Sequence, residues 1–130
     1  MSTRETIIPK GMEQLYERFH YAPAVKVGQI VYVAGQVGRD ENLQVIEGAE
    51  AQFVQAFENL KKVLTAAGAT FADVVEMVTY HTDMRDLPVF MKVKDRYYTK
   101  DYPTWTAIGT SALAMPGLLV ELKCTAVLQQ

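Results

Sequence analysis

Cysteine is all but missing. The 130-residue chain has one, Cys124, so no disulfide can close within it, and the sequence suits a reducing compartment. Histidine is nearly as scarce. His20 and His81 stand far apart with no cysteine or carboxylate at ligand spacing, which argues against a metal site. No apolar run approaches the roughly 20 residues that span a bilayer. The opening residues, MSTRETIIPKGM, are polar and lack the apolar stretch of a secretory signal. Cationic excess is lacking too: 13 Lys and Arg against 15 Asp and Glu leave a net charge of −2 and a pI near 5.7. That balance offers no electrostatic footprint for nucleic acid or an anionic membrane. No glycine-rich loop leads from a strand into a helix, Gly109 being isolated, so no phosphate cradle is expected. These absences leave a cytoplasmic protein without membrane or nucleic-acid partner as the expectation.

What is present is ordinary globular material, 49% hydrophobic and 22% charged. A chain of this length argues for a single domain over residues 1–130, able to bury roughly two-thirds of its unfolded surface. Residues 6–10 read as a short edge strand stopped by Pro9, and residues 12–19 as loop or a turn of helix. A strand over 24–27 meets a tight turn at Gly28-Gln29. The run IVYVAGQVG, residues 30–38, is almost wholly apolar and predicts a strand buried on both faces. Within it Gly35 weakens the strand unless something approaches its backbone closely, and Gln36 needs hydrogen-bond partners if buried.

Residues 49–67 carry the strongest helical signal. Phe53, Ala56, Phe57, Leu60, Val63 and Leu64 form one stripe. Glu50, Gln52, Gln55, Glu58, Lys61 and Lys62 fill the opposite face, and Gly68 fits a C-terminal cap. A strand over 74–82 precedes a second helix with Asp86 as candidate N-cap, Pro88 in its first turn and a stripe of Val89, Phe90, Val93 and Tyr97. The last thirty residues read as two strands joined by a turn at Met115-Pro116-Gly117. In the final strand Glu121 is the only carboxylate on the face away from Val120, Leu122, Cys124 and Ala126. On the strand before it, Trp105, Ala107 and Gly109 share a face, and a carboxylate and an indole on neighbouring strands would wall a shallow pocket.

The order βββαβαββ predicts an α+β two-layer sandwich: one mixed sheet with both helices on a single face. Several residues facing away from the helices are apolar, so an uncovered face and self-association are expected.

This element order, with the VAGQVG, YPTWTAIG and LLVELKCTAV strands, resembles the Rid (reactive-intermediate deaminase) family, also called YjgF, over nearly the whole chain from Tyr21 onward. HTD at His81 to Asp83 and YPTWTA at Tyr102 to Ala107 resemble its YjgH-like branch. The resemblance implies a chorismate-mutase-like fold and a homotrimer with small-molecule sites in the clefts between subunits. It also implies, for the deaminase branch, hydrolysis of enamines or imines to 2-oxo acids and ammonia without a cofactor. Some members have been described as endoribonucleases or translation inhibitors. Carried over by position, the cleft strand matches Gly35 and Gln36, the aromatic ahead of it Tyr21, and the carboxylate that orients water Glu121. The arginine that clamps a substrate carboxylate is replaced by Trp105, the following Cys or Ala position is Ala107, and an Asn on the second helix corresponds to Met91.

Trp offers one N–H and a flat face where arginine offers a fork, so this wall is expected to favour a neutral, cationic or flat ligand. Each residue also has a purely structural reading. Glu121 serves equally as an interface carboxylate, Trp105 as a buried aromatic at a subunit contact, and Gly35 as a packing residue. His20, His81 and Cys124 read as structural. Three functions follow: an imine or enamine hydrolase using Glu121, a non-catalytic small-ligand protein of the same fold, and an RNA-cleaving protein. The absence of a cationic cluster argues against the third.

Overall fold

One sheet and one long helix account for most of the core in the computed structural model, which describes residues 4–129. Chain order is β1 (Arg4–Ile7), α1 (Glu13–Glu17), β2 (Ala24–Val27), β3 (Ile30–Val37), α2 (Ala49–Ala66), β4 (Val74–His81), α3 (Leu87–Tyr97), β5 (Thr104–Gly109) and β6 (Val120–Val127). The six strands form a single mixed sheet in the order β1-β2-β3-β6-β4-β5, antiparallel throughout except for β4 and β5. This is the predicted α+β sandwich, with α1 as a short addition over residues left as loop or a turn of helix.

Two expectations change. The final strands do not form a hairpin: β6 lies between β3 and β4, and β5 pairs with β4 on its far side. The sequence of β6 suits the middle of a sheet, since its inward row of Val120, Leu122, Cys124 and Ala126 is buried. Parallel pairing of β4 with β5 needs a crossover, which α3 provides. Residues 110–119, turning at Gly117 with φ +88°, then carry the chain back to the centre. The second change concerns β3, which alternates instead of being buried twice. Val31 and Val33 point to the helices, while Ile30 and Tyr32 are 37% and 51% exposed on the other face. That face has no second layer among the described residues, and Val27 and Ile108 add to its exposed apolar surface.

The stripe of α2 packs as the periodicity predicts, Phe53, Phe57, Leu60 and Val63 being fully buried. Phe57 is the hub of an aromatic cluster, stacked on Tyr97 at 4.8 Å and on Phe90 at 5.6 Å, with Phe71 and Tyr98 at its edges. Gln52, expected on the solvated face, is 1% exposed instead. Its amide donates to the carbonyls of Ile46 and Gly117 at 3.0 Å and its oxygen accepts from Leu119 N–H. Gly38 allows this approach, because a Cβ there would collide with Gln52. At the start of α3, Asp86 occupies the N-cap without a side-chain bond, and Asp83 caps the preceding turn by accepting from Arg85 N–H at 3.0 Å.

A polar chain runs through the helix-covered side of β4 and β5. Trp105 Nε1–H donates to Thr79 Oγ1 at 2.9 Å, and Thr79 Oγ1 lies 2.7 Å from His81 Nε2. His81 is 1% exposed, packs edge-on against Phe90 at 4.8 Å, and its Nδ1 has no partner among the described residues. Burial lowers its pKa from 6.5, with Asp86 opposing. Cys124 is buried in the core and its thiol is pushed up to about 12, consistent with inert packing.

Two outcomes follow. Phe57→Ala should cost about 3–5 kcal/mol in urea unfolding, because it empties the centre of the aromatic cluster. A loss under about 1 kcal/mol would contradict that role. The depressed His81 pKa means the unfolded chain takes up a proton before the folded one does, so stability is held near neutrality and lost as pH falls below 6.5. Thermal unfolding between about pH 7.5 and about pH 5.5 should show a larger drop in Tm for the parent than for His81→Gln. Equal drops would remove His81 as the titrating group.

Candidate functional site

The site begins with an irregularity in β3. Its register with β6 passes from Val33 opposite Cys124 to Gln36 opposite Leu122, so Ala34 and Gly35 form a bulge. Ala34 N–H is satisfied by Pro23 O at 2.9 Å, and Gln36 braces the bulge by donating its side-chain N–H to Ala34 O at 3.2 Å. Gly35 is where the chain needs the absence of a side chain. A Cβ there would collide with Oε2 of Glu121 and lie 2.6 Å from its Cδ. The carboxylate therefore rests on the glycine backbone, on the uncovered face of the sheet, between the positions of Val37 and Tyr80 on the flanking strands. Glu121 is half-buried and has no hydrogen-bond or ion-pair partner among the described residues.

The same bulge lines a cavity of about 40 Å³ whose walls include Tyr21, Gly35, Gln36, Val37, Arg39 and Asn59. Buried Asn59 of α2 fixes its rim: its amide donates to Val37 O and Arg39 O, both at 2.8 Å. The Arg39 guanidinium lies across the cavity, donating from Nη2 to Tyr21 Oη at 3.4 Å and from Nη1 to Met115 Sδ at 3.3 Å. Of the residues singled out in the sequence, Tyr21, Gly35 and Gln36 thus share this cavity, and Glu121 abuts it through Gly35.

Trp105 and Ala107 lie elsewhere, on β5 at the edge of the helix-covered face, and Met91 is on α3. Trp105 lies opposite Met77 and Ala107 opposite Thr79 in the parallel register. The indole packs 5.9 Å from Phe90, and its one N–H is engaged by Thr79. Lys94 Nζ stands 5.0 Å above the ring, its side chain only 14% exposed. Met91, one turn earlier on α3, is exposed. The wall expected to favour a neutral, cationic or flat ligand thus carries an ammonium, itself paired with Asp95 at 3.4 Å.

Glu121 and Trp105 are therefore not on neighbouring strands. β4 separates their strands, roughly 10 Å of sheet, and they project from opposite faces. Within one chain they do not wall a common pocket; insertion of β6 into the sheet centre is the reason.

Sequence reading passed over Arg39, Asn59 and Lys94. Arg39 stands just past the apolar run of residues 30–38, where polar residues begin. Lys94 carries a signal in its spacing, four residues beyond Phe90, which sets it beside the apolar stripe of α3. Asn59 carries one too, sitting between Phe57 and Leu60 on the helix. Among the described residues no group of three or more His, Cys, Asp or Glu could hold a metal ion, and no helix is long and apolar enough to cross a membrane.

Comparison with known proteins places this geometry. The family pattern described as endoribonuclease L-PSP matches residues 12–128. The chain is 35% identical to the RutC family protein YjgH of Escherichia coli, over 97% of this chain and 96% of that one. It is 33% identical to the 2-iminobutanoate/2-iminopropanoate deaminase of Mus musculus, over 82% and 80%. The crystal structure of RidA from the Antarctic bacterium Psychrobacter sp. superposes with a TM-score of 0.80 at 37% identity, covering 83% of this chain and 88% of that one. With nearly all of its length matched in sequence and fold, the chain belongs to the endoribonuclease L-PSP family, the group also known by the names RidA and YjgF.

Proposed function

We propose that the chain forms a homotrimer that binds a small imine or enamine in clefts between copies and hydrolyses it, with Glu121 positioning the water. The observation that carries this reading is the Glu121 carboxylate: half-buried, unpartnered among the described residues and resting on the bulge at Gly35. A carboxylate held this way accepts a hydrogen bond from water and takes its proton as the oxygen adds to the C=N carbon. The nitrogen gains a proton, and the resulting carbinolamine collapses to a carbonyl product and ammonia. No cofactor enters this balance, and the deaminase name of the mouse relative agrees with it.

The cleft needs a second copy. The exposed apolar residues of the open face, Ile30, Tyr32 and Val27, call for a covering layer. The β5 edge with Trp105 and Ala107 is divided from Glu121 of its own chain by the sheet, so a neighbour's edge would supply that wall. RNA cleavage is the poorer reading. His81 is in the core, His20 lies on the surface, and the net charge is −2.

Ammonia release from imines generated by an amino-acid oxidase tests the proposal. The parent should accelerate it, and Glu121→Gln should lower kcat by about a hundredfold or more with an unchanged unfolding midpoint. Equal rates in parent and variant, or none in the parent with any imine, would overturn the catalytic role. A ligand recovered without turnover would point to a binding protein of this fold.

A further inference from the structure

One buried polar side-chain atom among the described residues has no hydrogen-bond partner: Nδ1 of His81. The ring's other nitrogen lies 2.7 Å from Thr79 Oγ1, which already accepts the Trp105 N–H at 2.9 Å. If Nε2 carried the proton, the Thr79 hydroxyl proton would be buried without an acceptor and Nδ1 would lack a donor. With the proton on Nδ1, Thr79 donates to Nε2 and only one group stays unsatisfied. The neutral ring therefore ends a relay in which indole donates to hydroxyl and hydroxyl to imidazole. Asp86, at the N-cap of α3 with no side-chain capping bond, acts on the ring through its charge. The other charges on the surrounding elements are engaged. Asp83 pairs with Arg85 at 2.8 Å, Lys94 with Asp95 at 3.4 Å, and Arg96 with Glu50 of α2 at 3.0 Å, while Glu58 of α2 accepts from Tyr97. β6 turns Val120, Leu122 and Cys124 toward this layer, the thiol neutral because burial pushes it up to about 12. β5 sets Gly109 beside His81.

We propose that His81 is a proton-operated clamp on Trp105: neutral, it accepts the Thr79 hydroxyl and holds the indole to the sheet; protonated, it lets the indole go. An imidazolium has two N–H donors and no acceptor. Its Nε2–H needs the Thr79 oxygen, so the hydroxyl proton has to turn away. No other acceptor for that proton exists among the described residues, and Thr79 keeps its indole bond only by burying an unsatisfied donor. Rotation of Thr79 to another rotamer relieves this and breaks the bond to Trp105. At the far side of the ring, Nδ1–H gains a charge near the start of α3, where the helix dipole disfavours a cation and Asp86 offsets it. Release has room to occur, because β5 is the outermost strand and Trp105 is only half-buried. The clamp stands on contacts within one chain. That a loosened indole changes the wall a ligand meets rests, in addition, on the proposed cleft.

Trp105 is the only tryptophan, so its emission and its indole N–H resonance report on this one side chain. The full-length protein is followed from about pH 8 to about pH 5, with circular dichroism recorded at each point. In the parent, acrylamide quenching should rise and the indole N–H resonance should move, both with one midpoint below the 6.5 of an ordinary imidazole and with the dichroism unchanged. His81→Gln should abolish both titrations and keep the indole shielded. Asp86→Asn should move the midpoint to lower pH, since the carboxylate favours the charged ring. Thr79→Val should leave the indole accessible at either end of the range. A titration that persists in His81→Gln, an indole that stays unchanged while the imidazole resonances titrate, a midpoint raised or unmoved by Asp86→Asn, or unfolding that precedes any change at the indole would overturn the clamp. None of these readings involves a ligand. Their failure leaves hydrolysis through Glu121 standing, and absence of ammonia release with the titration intact removes only the hydrolase reading.

Discussion

A sheet with helices on one side only decides most of what this protein can do. The helix-covered face buries the stripes of α2 and α3 and forms the core. The other face presents Ile30, Tyr32 and the Glu121 carboxylate to whatever lies beyond the chain. Because alternate residues of a strand point to opposite faces, Trp105 and Glu121 are divided by the sheet itself. A site that uses both would have to be assembled from two copies, and the exposed apolar residues of the open face are the kind of surface that such a contact buries.

The core and the site are coupled through two buried amides of α2. Gln52 ties the helix to the turn before β6, and Asn59 ties it to the end of β3. Satisfied buried amides of this kind hold their neighbours to one geometry, since breaking the bonds would leave polar groups buried without partners. They hold the end of β3 at Val37 and the Arg39 backbone from behind, so a shift of residues 37–39 disturbs the helix that carries Phe53, Phe57 and Leu60. The Trp105–Thr79–His81 chain acts similarly on the other side, holding the indole against Phe90.

The fold was legible where one periodicity had one cause. The stripe of α2, the alternation of β6 and the Gly28 turn report burial and backbone preference directly, and they lie where expected. Pairing order was not legible, because nothing local in residues 104–109 or 120–127 says that β6 enters between β3 and β4; that depends on the α3 crossover and on competition among strands for the sheet centre. Gln52 and Asn59 were misread or missed because polarity usually marks a solvated face, and only the tertiary position of carbonyls at 37, 39, 46 and 117 gives them partners. At the site, Gly35, Gln36 and Glu121 stood out by their own chemistry and Tyr21 by resemblance to a family; Tyr21, Gly35 and Gln36 share one cavity while Gly35 makes room for Glu121. Arg39 was hidden by its place at a loop boundary.

The claim that the working site spans copies is tested most directly by mass in solution. Sedimentation equilibrium at micromolar concentration should give about 44 kDa, three times the 14.6 kDa chain. Tyr32→Glu, which puts a charge on the uncovered sheet face, should shift the distribution toward the single chain. A parent that sediments at 14.6 kDa across the concentration range would contradict the account.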